Sequence, residues 1–288
     1  MHDDFVARGE PGCDFGVQAI LAGDLHVGEH RAIRFDNVGC PVFAIAEQGA
    51  DRDPQHVVAV PGDDANLHAV SVTEGAPGLR QKTPALWTGT ELLVWGGCRF
   101  WQNGVGDGAR FDPETMTWTP MSAVGAPSPR GAHVALWTGD RMIVWGGHEG
   151  DNDHPLADGA LYTPATDTWA PMSSVGAPPA THHAAAVWTG TELVVWGGQT
   201  VWNDSTAVDT GGVYHLASDT WRPMTTTGAP PRESRHTMVW TGDEVLTLGR
   251  RGAASYDPGA DSWTPLPVSP AFRHSHSAFW TGDRLLIA

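Results

Sequence analysis

Five phrases of the chain carry polar side chains at fixed distances from a tryptophan. With the tryptophan of each "WTG" as an anchor (Trp87, Trp137, Trp188, Trp240 and Trp280), the residue seven before it is Arg80, Arg130, Thr181, Glu233 or Arg273. The residue four before it is Thr83, His133, Ala184, His236 or His276. Guanidinium and imidazole groups repeated in one register can bind the carboxylate or hydroxyl groups of a ligand, provided the fold gathers them around one opening. The same residues have a structural reading. A histidine at the start of a strand also bonds neighbouring backbone, and an arginine also makes rim ion pairs. Glu233, close to Arg232 and Arg235, is either an acid–base group near cations or a member of a local ion pair.

Two tryptophans stand outside this register: Trp101 in "CRFWQNGVGD" and Trp202 in "QTVWNDSTAVDTGG". Each either stacks on a ligand or folds over its own loop as a plug. Arg99, which breaks the repeat beside Trp101, is a further binding candidate. The segment "HEGDNDHPLAD" offers His148, Asp151, Asp153 and His154 as donors, but their spacing matches no closed metal site. No metal ligand, cofactor or catalytic residue is assigned. The chain has no nucleophile elbow, phosphate loop or zinc motif.

The elements that must position these residues follow from the repeat. The anchors are separated by 50, 51, 52 and 40 residues. After each comes an apolar run: "ELLVWGG", "RMIVWGG", "ELVVWGG", "EVLTLGR" and "RLLIA". A second phrase keeps the period: "ARFDPETMTW", "ALYTPATDTW", "GVYHLASDTW" and "ASYDPGADSW". In it Phe111, Tyr162, Tyr214 or Tyr256 precedes Trp118, Trp169, Trp221 or Trp263 by seven residues. A third, "GAP", starts twelve residues before an anchor, at Gly75, Gly125, Gly176 and Gly228. Each unit reads as four short strands, a to d. "TG[TD]" turns a into b, with Gly supplying positive φ, and the double glycine ends b. Strand c carries the Phe or Tyr, and strand d the last Trp. Of the 14 tryptophans, 12 then sit at repeat positions and read as packing residues.

The double glycine after strand b, with the spaced aromatic and Trp on strands c and d, resembles the Kelch repeat. The resemblance covers about residues 83 to 288, and its fourth copy loses the second glycine to Arg250. The Gly-His and Trp-Asp signatures of WD40 repeats are absent. Abundant Gly (35) and Pro (22) with sparse helix formers read as all-β, and the resemblance implies a Kelch propeller; with the N-terminal alignment given below, the expected fold is a six-bladed Kelch-type β-propeller of four-stranded antiparallel blades. Loops b–c and d–a emerge together, and in Kelch domains such loops often line the partner pocket.

The chain closes on "FWTGDRLLIA", an a–b pair alone. The N-terminal part can be laid on the repeat, with Phe35 as an anchor, "CPVFAIAEQ" as b, "HVVAVPGDD" as c and "LHAVSVTEGAP" as d. Residues 1–24 then supply a c–d pair that completes the last blade. The expected single domain, 1–288, has blades at 277–288 with 1–24, 31–76, 83–127, 133–178, 184–230 and 236–268. Five blades plus an irregular N-terminal segment is the alternative.

Composition bounds the function. The net charge of −16 with 17 Lys plus Arg repels phosphate backbones and argues against nucleic acid. No apolar run is long enough to span a bilayer, and the acidic N-terminus lacks the apolar stretch of a signal peptide. Cys13, Cys40 and Cys98 form neither a zinc pattern nor a disulfide framework, and the compartment stays open. The chain reads as a monomeric, non-enzymatic binding scaffold for a protein or glycan ligand. The alternative is a carbohydrate-active enzyme on the same fold, similar to the sialic-acid mutarotases or, more remotely, to galactose oxidase-like copper enzymes. The three tyrosines, all at repeat positions, argue against the latter.

Overall fold

A computed structural model describes residues 57–61, 67–71, 74–78, 80–99, 103–150, 154–201, 206–267 and 278–287. These residues form strands, turns and no α-helix. The N-terminal anchor Phe35, its strands a and b, the c–d pair expected in 1–24, Cys13 and Cys40 all lie outside them.

Four four-stranded antiparallel sheets carry the repeat. The first is β3 (Ala85–Trp87), β4 (Leu92–Trp95), β7 (Gly108–Asp112) and β8 (Thr117–Pro120). The second is β9 (Val134–Trp137), β10 (Met142–Trp145), β13 (Gly159–Thr163) and β14 (Thr168–Pro171). The third is β15 (Ala185–Trp188), β16 (Glu192–Trp196), β17 (Gly211–His215) and β18 (Thr220–Pro223). The fourth is β19 (Thr237–Trp240), β20 (Val245–Leu248), β21 (Ala253–Asp257) and β22 (Ser262–Leu266). In each the spatial order equals the sequence order, a to d. Two hairpins flank them: β1 (Val57–Pro61) with β2 (Leu67–Ser71), where strands c and d were expected, and β23 (Ala278–Trp280) with β24 (Leu285–Ile287), the expected a–b pair. The b–c loops contain pairings the repeat did not reveal: β5 (Cys98–Arg99) with β6 (Asn103–Gly104), and β11 (His148–Glu149) with β12 (His154–Pro155).

The chain forms two compact units. One comprises Met1–Leu79, Ala85–Trp95 and Asp107–Met121 and contains the first four-stranded sheet; the other comprises Arg80–Pro84, Gly96–Gly106 and Ser122–Ala288 and contains the other three.

Local chemistry explains the hairpins. In the a–b turn, Thr88 N donates to Glu91 O at 2.9 Å, and the Thr88 hydroxyl accepts from Glu91 N at 2.9 Å. Gly89 takes φ +104°, a conformation that suits glycine. The same turn recurs at Thr138, Thr189, Thr241 and Thr281. Strand b is buried on both faces, as its continuous apolar run requires: Leu92–Trp95 and Met142–Trp145 are buried throughout. The seven-residue spacing of aromatic and Trp has a simple cause, since the two face each other across strands c and d. Their ring centroids lie 4.8 to 5.2 Å apart.

Burial divides the repeat tryptophans. Those before the double glycine (Trp95, Trp145 and Trp196) and those on strand d (Trp118, Trp169, Trp221 and Trp263) are all at most 8% exposed. Within the second unit, Trp145 meets Trp221 at 4.4 Å and Trp196 meets Trp263 at 4.7 Å, so the rings fill the seams between consecutive sheets. The five anchors are only half-buried. They end strand a next to an exposed turn, which leaves part of each indole at the sheet margin.

Candidate functional site

The residues seven before the anchors fix loops. Arg130 is fully buried. Its guanidinium donates to the carbonyls of Gly146 (3.1 Å), Asp158 (3.0 Å) and Ser128 (3.0 Å) and to the Ser128 hydroxyl (3.0 Å), and pairs with the Asp158 carboxylate at 2.9 Å. Arg80, also buried, donates to Gly96 O at 3.0 Å. Each of these arginines therefore ties down a carbonyl of the double-glycine turn. In the fourth sheet the sequence has Gly249 and Arg250 instead of two glycines, and neither takes positive φ. The turn there exposes N–H groups, and the residue at this register is an acid: Glu233 accepts from Arg250 N at 3.0 Å and Arg251 N at 3.1 Å. Arginine for carbonyls and glutamate for amides are the two charge-assisted ways to hold one loop.

The residues four before the anchors occupy seams. A Cβ on Gly96 would meet the His133 ring at 2.8 Å, and one on Gly197 would meet the His236 ring at 2.7 Å. Both imidazoles thus pack against glycine backbone, at 6% and 8% exposure. Burial, then the charge of Arg130 and His148, hold His133 down to about 3. It is a neutral side chain at ordinary pH.

The sequence reading did not single out the residues five before the anchors, and the structure gives them a shared role. Lys82, Ala132, His183 and Arg235 all have φ between +51° and +56°. They link successive repeats by backbone hydrogen bonds: Ala132 N to Lys82 O (3.0 Å), His183 N to Ala132 O (3.2 Å) and Arg235 N to His183 O (3.1 Å). Three of these four are basic, in a chain of net charge −16, and all four are partly exposed. Their side chains feel one another. Burial lowers the Lys82 ammonium, Cys98 opposes this, and Arg235 lowers it further. Burial, His182, Arg235, Lys82 and His148 together hold His183 down to about 2. The only signal in the sequence was the constant spacing; left-handed backbone at a Lys, His or Arg is not legible from residue type.

Of the remaining candidates, Arg99 is exposed. Trp101, Trp202, Arg273 and His276 lie outside the described residues, as do Asp151 and Asp153. The other two donors of that loop part company: His148 is fully buried and His154 exposed. The tyrosines serve as braces. Tyr162, Tyr214 and Tyr256 donate to Asp167, Asp219 and Asp261 at 2.6 to 2.7 Å. Each aspartate also accepts an N–H from the preceding repeat, from Ser122, Ser173 or Thr225. Burial and donation to Asp261 push Tyr256 up to about 12.

The family model described as the KLHDC2/KLHL20/DRC7 Kelch-repeats domain matches residues 46–250. No curated protein matches the chain.

Proposed function

The chain belongs to the Kelch-repeat family, and we propose that it is an interaction scaffold whose ligand is a protein segment bearing carboxylates. Kelch repeats point generally to protein interaction; the carboxylate and its place are our reading. The observation that carries it is that Lys82 and Arg235, with the neutral His183, occupy one repeat position in an otherwise acidic chain and are linked through backbone hydrogen bonds. The Lys82 and Arg235 cations feel each other, and an anion relieves their repulsion. The arginines and glutamate seven before the anchors support this arrangement from behind by fixing the turns. Arg99, Trp101 and Trp202, on the same b–c loops, would supply the variable contacts around it.

The architecture we propose for this is one six-bladed propeller formed by residues 1–288, with its last blade completed by 1–24. The residues five before the anchors would then line the central opening. A displayed-peptide selection against the intact chain, run beside a glycan array, tests the function. Enrichment of Asp-, Glu- or terminal-carboxylate-bearing peptides, reduced at least tenfold in Lys82→Ala plus Arg235→Ala, is expected. Selection of neutral or basic peptides, or of glycans alone, would overturn it.

A further inference from the structure

The residue after each double glycine occupies one repeat position, filled by Cys98, His148 and Gln199. Each forms an antiparallel bridge with a residue six before an anchor: Gln81 with Cys98, Gly131 with His148, and His182 with Gln199. The bridges assemble donor side chains from three repeats. Cys98 Sγ lies 3.8 Å from His148 Nε2. The His148 ring meets His182 edge-on, with centroids 5.3 Å apart. His182 Nδ1 lies 2.7 Å from His183 Nδ1. Cys98, His148 and His182 are all 0% exposed.

Two further observations bear on this cluster. The first is Gly131. A Cβ there would overlap Cys98 Sγ, so the thiol can face His148 only because this repeat has glycine where the others have Gln81, His182, Ser234 and His274. The second is a pair of orphaned acceptors. Gln81 Oε1 and Gln199 Oε1 are buried with no hydrogen-bond partner. They belong to the bridge partners of Cys98 and His182. Buried carbonyl oxygens without donors call for an ordered water beside the cluster.

We propose that Cys98 Sγ and His148 Nε2 form a buried binding site for a thiophilic cation, Cu(I). Thiolate suits Cu(I) and zinc, and imidazole suits copper and zinc, so this donor pair leaves those two ions to decide between. Among the described residues no group of three or more His, Cys, Asp or Glu is placed to hold one metal ion. That argues against zinc, whose sites use three or four protein ligands. Binding forms a sulfur–copper and a nitrogen–copper bond, breaks the S–H bond and releases one proton to solvent; no electron is transferred. Burial pushes the Cys98 thiol up, with Lys82 opposing. The thiol therefore carries its proton until the ion displaces it.

The test is an anaerobic Cu(I) titration of the intact chain against a chromophoric Cu(I) chelator, with proton release followed in parallel. One ion and one proton per chain are expected, and X-ray absorption of the loaded protein should show one sulfur and at least one imidazole nitrogen at the metal. Cys98→Ser and His148→Gln should each lower affinity at least tenfold. His215→Gln, an exposed histidine bonded to Ser218, should bind as the parent does. The absorption spectrum keeps the test decisive if a variant fails to fold. Copper lost entirely to the chelator, an ion with no sulfur neighbour, or undiminished binding by folded Cys98→Ser would overturn the proposal.

Discussion

At the scale of the residue, position in the repeat decides what a charged side chain does. Arg130 has its donors spent on three carbonyls, a hydroxyl and a carboxylate. Replacing it with Met should leave those carbonyls without donors and cost about 2–4 kcal/mol, read as a lower denaturation midpoint. Lys82, partly exposed, should behave oppositely: Lys82→Ala should change stability by less than about 0.5 kcal/mol while weakening ligand binding. Buried neutral histidines also set a pH dependence. His133 has its pKa lowered from 6.5 to about 3 in the folded chain. The unfolded chain therefore takes up a proton that the folded one refuses. Stability is full above about pH 6.5 and falls as pH drops towards 3, by at most ~1.4 kcal/mol per pH unit for each such group. Urea titrations between pH 7 and 4 should show this slope, and His133→Asn should flatten it.

At the scale of the element, strand d of each sheet in the second unit is latched to the segment that precedes the sheet. Trp169, Trp221 and Trp263 donate Nε1–H to the carbonyls of Ser122, Ser173 and Thr225 at 2.8 Å, next to the Tyr–Asp brace. In the first sheet the brace is replaced as a pair: Phe111 stands for Tyr and Met116 for Asp, with Met116 keeping φ +56°. Losing donor and acceptor together leaves neither side chain of the pair with an unpaired polar group. Tyr214→Phe alone should therefore cost about 1 kcal/mol, and Asp219→Ala, which loses the Ser173 bond as well, about twice that. Trp145→Ala should cost about 3–5 kcal/mol, because it empties the seam against Trp221. Thermal melts of the three variants would rank them, and an order with Tyr214→Phe worst would show the latch misread. The strands themselves were legible, since period, turn glycines and apolar runs all mark backbone states that residue type controls. The b–c loop pairings and the cationic ladder were not. They depend on backbone partners from other repeats, and the positive φ of Lys82, His183 and Arg235 falls on residues that do not advertise it.

At the scale of the whole molecule, a Kelch-repeat chain places function on what varies between copies. The repeat fixes packing through its glycines and tryptophans, and leaves the residues five before the anchors and those after the double glycine free to differ. The side chains there are Lys82, Ala132, His183 and Arg235 in one register, and Cys98, His148 and Gln199 in the other. Among the described residues, no helix is long and apolar enough to cross a membrane. Excess acid elsewhere in the chain should sharpen selection at a basic site, since a second anion is repelled from the rest of the surface. Affinity for a carboxylate-bearing peptide should accordingly fall as salt rises. The most direct measurement is calorimetric affinity of one selected acidic peptide for the parent chain and for Lys82→Ala plus Arg235→Ala, with melting temperatures taken alongside. At least a tenfold loss of affinity at an unchanged melting temperature is expected; equal affinity in the two proteins would contradict a carboxylate site at Lys82 and Arg235.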